Sequence, residues 1–203
     1  MPNNSKEVII NSAFELFIKQ GYQKTSLKDI MEETQLSKGA IYHHFKSKHE
    51  IYLASLDTYF FKLYEDLFSK NEFSNFKENI KYSYTFFTDL INYIENIGNG
   101  ITYPIRQFFL FQLESEQDPI IREKIIDTIQ HYKQEVTRII KKAQETKEIT
   151  NLLSVSVITQ QLISMIEGIA IHHSTLKENS KDFLEQKYNE VILPYLTLLT
   201  NQT

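Results

Sequence analysis

The sequence of 203 residues contains no cysteine, so it can form neither a disulfide bond nor a thiolate site for catalysis or metal binding. It also lacks an apolar run of roughly 18 residues, the length that a helix needs to span a bilayer. The first residues, MPNNSKE, are polar and lack the apolar stretch of a secretion signal. These absences predict a cytoplasmic protein without membrane contact.

Signatures of common catalytic sites are missing as well. The sequence has no HExxH, GxSxG or GxGxxG motif. His43 and His44 are adjacent, as are His172 and His173, but adjacent residues on a helix point about 100° apart, so neither pair suits one metal ion. We therefore predict no enzyme activity, no metal and no cofactor.

The net charge of −4 is divided unevenly along the chain. Residues 1–50 contain seven Lys and six Asp or Glu, which gives +1, and the remaining residues carry the other −5. A weakly basic N-terminal segment binds phosphate through individually placed side chains and helix N-termini rather than through bulk charge. We expect moderate non-specific affinity for nucleic acid.

Residues 25–48, TSLKDIMEETQLSKGAIYHHFKSK, have the pattern of two short helices joined by a tight turn. Apolar residues recur at helical spacing in both halves: Leu27 and Ile30 in the first, and Ile41 and Phe45 in the second. Ser37 is placed to cap the second helix, because its hydroxyl can accept from an otherwise unpaired amide. A recognition helix presents its first residues to base edges and phosphates while its back packs. The pattern predicts a helix-turn-helix DNA reader.

The run LSKGAIYHHFKSK at 36–48 resembles the signature of the TetR family of bacterial transcriptional regulators. AFELF at 13–17, GY at 21–22 and TS at 25–26 resemble it too, so the likeness covers about residues 5–55. It implies an all-α fold with an N-terminal three-helix DNA-binding domain, residues 1–47, and a C-terminal helical ligand-sensing and dimerisation domain, residues 48–203.

Eight residues are predicted to contact DNA: Thr25, Ser26, Lys38, Gly39, Ala40, Tyr42, His43 and Lys48. The Thr25 and Ser26 hydroxyls, with the amides at the start of the helix, bind a phosphate, or these residues only cap the next helix; both roles are compatible with each other. Lys38 reaches a guanine edge or a phosphate, and the small residues after it let the helix approach the groove. Tyr42 and His43 resemble the family's pair of backbone-clamping residues, and Lys48 neutralises a phosphate.

The rest of the sequence has helical periodicity. Capping and breaking residues place helices at about 4–20, from Lys48 onward, and at 76–96, 104–115, 119–147 and 151–173. The last helix starts near residue 180, and Pro194 is expected to kink or shorten it.

The helix at 151–173 is apolar on nearly all sides, and small Ser164 and Gly168 lie one turn apart. The resemblance implies a homodimer formed by a four-helix bundle of the last two helices of each subunit. The alternative is a central helix within a monomer. The predicted interface residues are Leu162, Ser164, Ile166, Gly168, Ile169, Val191, Tyr195 and Leu198.

The resemblance also implies a ligand pocket among the helices near 55–175. Its predicted residues are Tyr64, Phe86, Tyr93, Tyr103, Arg106, Phe109, Tyr132 and Glu167. Arg106 and Glu167 lie in apolar runs, where a buried charge needs a partner; they pair with each other, or one of them meets a polar group of the ligand. An aromatic cage suits a flat or cationic ligand, whereas Arg106 suits a carboxylate or phosphate.

Together these features predict a ligand-responsive transcriptional regulator, a repressor whose dimer leaves a palindromic operator when a small molecule binds and moves the fourth helix. Two alternatives are a similar regulator controlled by a protein partner and an enzyme built on the same fold.

Overall fold

The computed structural model describes residues 5–62, 64–65, 75–96, 103–115, 117–176 and 181–200. Within these ranges it contains helices and no strand, which confirms the all-α class. The helices are α1 (Ser5–Gln20), α2 (Leu27–Thr34), α3 (Lys38–His44), α4 (Lys48–Leu56), α5 (Phe76–Asn96), α6 (Pro104–Ser115), α7 (Pro119–Glu145), α8 (Val155–His173) and α9 (Lys181–Thr200).

The chain forms two compact units. The first contains residues 1–63 and 107–125, and the second contains residues 64–106 and 126–203. The functional division predicted at residue 47 stays a prediction.

Serine hydroxyls determine where four of the helices begin. Ser26, Ser37, Ser47 and Ser154 each accept a hydrogen bond from the amide three residues later, which satisfies one of the free N–H groups of the first turn. The cap at Ser154 places the start of α8 four residues after the predicted position. α9 continues through Pro194 to Thr200, so the expectation that Pro194 shortens it is wrong.

A π-helical segment, Asp57–Phe61, follows α4 directly. The Lys62 amide donates to the Asp57 carbonyl, a bond that spans five residues instead of four. Phe60 and Phe61 are both buried there. Nothing in the hydrophobic period of the sequence predicts this segment.

In the first unit, α1 packs against α2, α3 and α4. The buried face of α1 contains Ile9, Ala13, Phe14 and Phe17. The Phe14 ring meets that of Phe111 edge to face, with centroids 5.5 Å apart. Phe111 therefore belongs to the core of this unit.

In the second unit, α9 packs against α5 and α8. The rings of Tyr84 and Tyr188 lie 4.9 Å apart, and the Tyr188 hydroxyl donates to the Ile166 carbonyl at 3.2 Å. Among the described helices, α8 is the one that length and composition would allow to cross a membrane, a criterion that core helices of soluble proteins also meet.

Two residues predicted for the dimer surface are core residues of the single chain. Leu162 and Ile166 on α8 have no exposed surface. Their side chains are covered within one copy of the chain, so they are not available to a second copy, and their assignment to the interface is wrong. Helical periodicity identified the apolar helix but not which of its sides faces its own chain.

Leu162→Ala is expected to lower the free energy of unfolding by about 2–5 kcal/mol, because it removes buried methyl groups and leaves a cavity. The same change at Leu152, which is 77% exposed, is expected to cost less than about 0.5 kcal/mol. Urea denaturation at matched protein concentration measures both. Equal effects at the two positions would contradict the burial of Leu162.

Candidate DNA interface

The turn between α2 and α3 is built by short local bonds. Gln35 adopts the left-handed conformation, with φ of 57°, and ends α2. The Leu36 amide donates to the Thr34 hydroxyl at 3.3 Å, and the Ser37 hydroxyl accepts from the Ala40 amide at 3.2 Å. These contacts fix the direction in which α3 leaves the turn.

α3 has one buried side and one exposed side. Ile41 is buried, which anchors the helix to the unit. Four of the predicted DNA-binding residues are exposed on α3: Lys38, Gly39, Tyr42 and His43. Ala40 is half-buried at the edge of the exposed side. The structure thus brings the predicted α3 residues together on an accessible surface.

Tyr42 presents a large aromatic ring to solvent, with 44% of its surface exposed. The Lys38 ammonium lies 5.7 Å from the centroid of that ring, within the range of a weak cation–π contact. An exposed tyrosine beside a cation combines a ring for packing and a hydroxyl for a phosphate oxygen.

Thr25 does not offer its hydroxyl to a phosphate. The side chain is 1% exposed, and its hydroxyl donates to the Gly21 carbonyl at 2.9 Å while accepting from the Gln20 amide group at 3.3 Å. The predicted phosphate contact of this hydroxyl is therefore wrong, because the group is buried and already bonded inside the chain.

Ser26 caps α2 through a reciprocal pair of bonds with Asp29. The Ser26 amide donates to the Asp29 carboxylate at 2.7 Å, and the Asp29 amide donates to the Ser26 hydroxyl at 3.2 Å. This confirms the predicted capping box. The hydrogen bonds from Ser26 lower the pKa of the Asp29 carboxyl. A phosphate contact by Ser26 stays a prediction.

Lys48 is bound to the loop that precedes α2. Its ammonium donates to the carbonyls of Tyr22 and Thr25, both at 2.8 Å, and lies 4.1 Å from the centroid of the Tyr22 ring. Burial lowers the pKa of Lys48, and the nearby carboxylates of Asp29 and Glu114 oppose that shift. Two of its three N–H donors are thus used within the chain.

The same loop is held by a carboxylate from α6. Glu114 accepts from the Tyr22 amide at 3.0 Å. Sequence reasoning missed this contact, because the two residues are separated by 92 positions and Glu114 belongs to no recognised motif. Burial raises the pKa of the Tyr22 hydroxyl, and the negative charge of Asp118 adds to the shift.

The predicted ligand-pocket residues are divided between the two units. Tyr64 and Tyr132 are buried, with ring centroids 6.3 Å apart, and Tyr93 and Tyr103 are half-buried. The side chain of Phe86 lies outside the described residues. Phe109 is half-buried and belongs to the first unit by its contacts, whereas the others belong to the second.

The charged pair predicted for this pocket is not buried. Arg106 is exposed, so it needs no buried partner and the expectation for it is wrong. Glu167 is exposed as a residue, although partial burial of its carboxyl group raises its pKa. Sequence reasoning also missed that Tyr84 and Tyr188 are buried. In the last helix, the spacing of Leu184, Tyr188 and Ile192, which are all buried, was the available signal.

Several predicted dimer residues remain on the surface of the single chain. Ser164, Val191 and Leu198 are exposed, and Gly168, Ile169 and Tyr195 are half-buried. Their role in an interface stays a prediction.

The turn and the exposed side of α3 define a helix-turn-helix domain. Residues 9–55 match the family described as bacterial regulatory proteins, tetR family. The N-terminal part of the chain is therefore similar to bacterial transcriptional regulators of the TetR family.

Three proteins illustrate the likeness. An uncharacterized HTH-type transcriptional regulator YerO of Bacillus subtilis (strain 168) is 30% identical over 135 residues, which cover 61% of this chain and 46% of that protein. The biofilm operon icaADBC HTH-type negative transcriptional regulator IcaR of Staphylococcus epidermidis is 32% identical over 81 residues, covering 40% and 43%. A transcriptional regulator of Aquifex aeolicus VF5, of known structure, is 23% identical with a TM-score of 0.70, covering 95% and 99%.

The matched segments span less than half the length of these two curated relatives, and the structural likeness shows the fold. Regulators of this family bind DNA operators, usually as dimers and with small-molecule ligands.

Lys48→Met is expected to leave the salt dependence of DNA binding unchanged, because the ammonium is bound to loop carbonyls rather than to a phosphate. The matched control Lys38→Met is expected to reduce the slope of log K against log salt by about 0.9, the effect of losing one phosphate contact. Titrations at four salt concentrations measure both slopes. A slope change of that size for Lys48→Met would restore its predicted phosphate contact.

Proposed function

We propose that the chain is a cytoplasmic, dimeric repressor of transcription that binds a pseudo-palindromic operator and is released by a small molecule. The exposed side of α3 carries this proposal, because it combines a cation, an aromatic hydroxyl and a position without a side chain. IcaR is named as a negative transcriptional regulator, which supports repression rather than activation.

Gly39 supports close approach of DNA to α3. A Cβ built at this position would meet only the Ser37 hydroxyl, at 3.9 Å, so packing within the chain does not require glycine there. Glycine inside a helix costs about 0.5–1 kcal/mol relative to alanine. We infer that the position is kept free of a side chain for a group outside the chain, and a groove of duplex DNA fits that requirement.

Two exposed apolar surfaces support the dimer. On α8, Val157 and Ile171 are exposed, and on α9, Val191 and Leu198 are exposed, the last at 64%. Apolar area of this kind is covered in soluble proteins by a partner, and a second copy of the chain satisfies the two-fold symmetry of a palindrome. Two copies then place two recognition helices about one turn of DNA apart.

The buried ring pair Tyr64–Tyr132 supports a ligand site in the second unit. Burial raises the pKa of both hydroxyls, which keeps them neutral at physiological pH. Rings with neutral hydroxyls offer apolar area and hydrogen bonds to a small organic molecule. A ligand releases DNA only to the extent that it binds the released form more tightly.

Selection of bound duplexes from a random pool at near-physiological salt tests the DNA-binding role. We expect enrichment of one pseudo-palindrome, since two copies of α3 read two half-sites. Recovery of DNA without an enriched sequence would contradict sequence-specific regulation.

With the selected duplex, Gly39→Ala is expected to weaken binding about tenfold while raising the free energy of unfolding by about 0.5–1 kcal/mol. Weaker DNA binding by a more stable protein would indicate a lost contact in the groove, because a folding defect would lower the free energy of unfolding as well. Unchanged affinity would mean that DNA does not approach this position closely.

Gly168→Leu is expected to convert the dimer to a monomer, because a larger side chain blocks close approach of a second copy. The chain itself leaves room, since no atom lies within 4 Å of a Cβ built there. The control Gly168→Ala is expected to remain a dimer in sedimentation velocity. A dimeric Gly168→Leu protein of equal stability would exclude this helix face from the interface.

A further inference from the structure

Both backbone groups of Tyr22 are bound by charged side chains from distant parts of the sequence. Its amide donates to the Glu114 carboxylate of α6 at 3.0 Å, and its carbonyl accepts from the Lys48 ammonium of α4 at 2.8 Å. One peptide segment is therefore held between an acid and a base supplied by two different helices. Hydrogen bonds to ionised groups are stronger than those between neutral groups.

The held segment leads directly into the helix-turn-helix. Residues 21–25 join α1 to Ser26, the cap of α2. Lys48 also binds the Thr25 carbonyl at 2.8 Å. Glu114 and Lys48 together therefore restrain the loop at Tyr22 and at Thr25, the residue before the cap. Any shift of this loop moves the start of α2, and the tight turn after α2 transmits that shift to α3.

Gly21 makes the approach of Glu114 possible. A Cβ built at Gly21 would lie 3.0 Å from both carboxylate oxygens of Glu114, tighter than nine in ten Cβ contacts, so the carboxylate would have to move by a few tenths of an ångström. Gly21 also has φ of 85°, in the left-handed region that favours glycine. The carboxylate reaches the loop over a residue that has no side chain to exclude it.

We propose that Glu114 is a positioning residue for DNA recognition, which links α6 to the recognition helix through the Tyr22 amide. The inference rests on the proposed DNA-binding function. When Glu114 accepts from the Tyr22 amide, the loop before α2 is fixed. The exposed side of α3 is then already ordered before the operator binds. When the bond is absent, DNA binding has to order that loop, and affinity falls.

Other links between residues 117–125 and α4 do not substitute for this bond. His49 pairs with Asp118 at 3.4 Å, and Lys124 pairs with Asp57 at 2.7 Å. The Lys124–Asp57 pair is exposed and the His49–Asp118 pair is half-buried, and surface pairs contribute little to rigidity in salt. They also hold α4 and the π segment, not the loop that precedes α2.

Glu114→Ala tests the proposal, with Glu123→Ala as the matched control because Glu123 is an exposed glutamate of α7 in the same unit. We expect operator affinity to fall at least fivefold for Glu114→Ala and less than twofold for the control. Affinity for an unrelated duplex should change less than twofold in both. Hydrogen exchange at the Tyr22 amide should accelerate at least tenfold in Glu114→Ala only.

Glu114→Gln separates positioning from loss of charge. Its side-chain carbonyl oxygen still accepts from the Tyr22 amide, so operator affinity and amide protection should both return to within about threefold of the wild type. A folding defect would lower affinity for both duplexes and shift the thermal midpoint, which is measured alongside.

Three results would overturn the proposal. The first is unchanged operator affinity in Glu114→Ala although the Tyr22 amide exchanges faster, and the second is unchanged exchange at that amide. The third is an equal loss of affinity in Glu114→Ala and Glu123→Ala. Failure of the wild-type protein to select any operator is a separate outcome, because it contradicts the proposed function while the exchange measurement still reports the Glu114 bond.

Discussion

The burial of one face of α1 is the constraint on which the position of α3 and its exposed side depends. Phe14 and Phe17 are buried, and α2, α3 and α4 all pack against this helix. The Tyr52 ring of α4 meets the Phe17 ring edge to face, with centroids 5.1 Å apart. Short helices such as α2 and α3 are not stable alone, so their positions exist only because α1 gives them a common apolar surface.

Local features of the fold were predictable from sequence, because their causes are local. Ser37 fixes the start of α3, and the predicted ranges 76–96 and 104–115 coincide with α5 and α6. The exposure of Gly39 and His43 follows from the same reasoning, since both lie about 160° around α3 from the buried Ile41. The resemblance to the TetR family added the prediction that the N-terminal helices form a DNA-binding domain.

What could not be predicted depends on contacts between distant residues. Thr25 looks like a phosphate ligand by type, but the packing of the loop buries its hydroxyl. Lys48 looks like a free surface charge, but two carbonyls bind its ammonium. α8 is apolar on several sides, and only the packing of α9 shows that Leu162 is internal while Val157 is exposed.

The π segment Asp57–Phe61 has a consequence for how the length of the chain can change over evolution. A π turn is equivalent to one extra residue inserted into an α-helix. Deletion of one residue there would leave Tyr52 and the rest of α4 facing α1 as before. Deletion within the part of α4 that follows Tyr52 would instead rotate every later residue by about 100° relative to it. The segment is therefore the point where a single-codon deletion preserves the helical register between α4 and the residues that follow the segment.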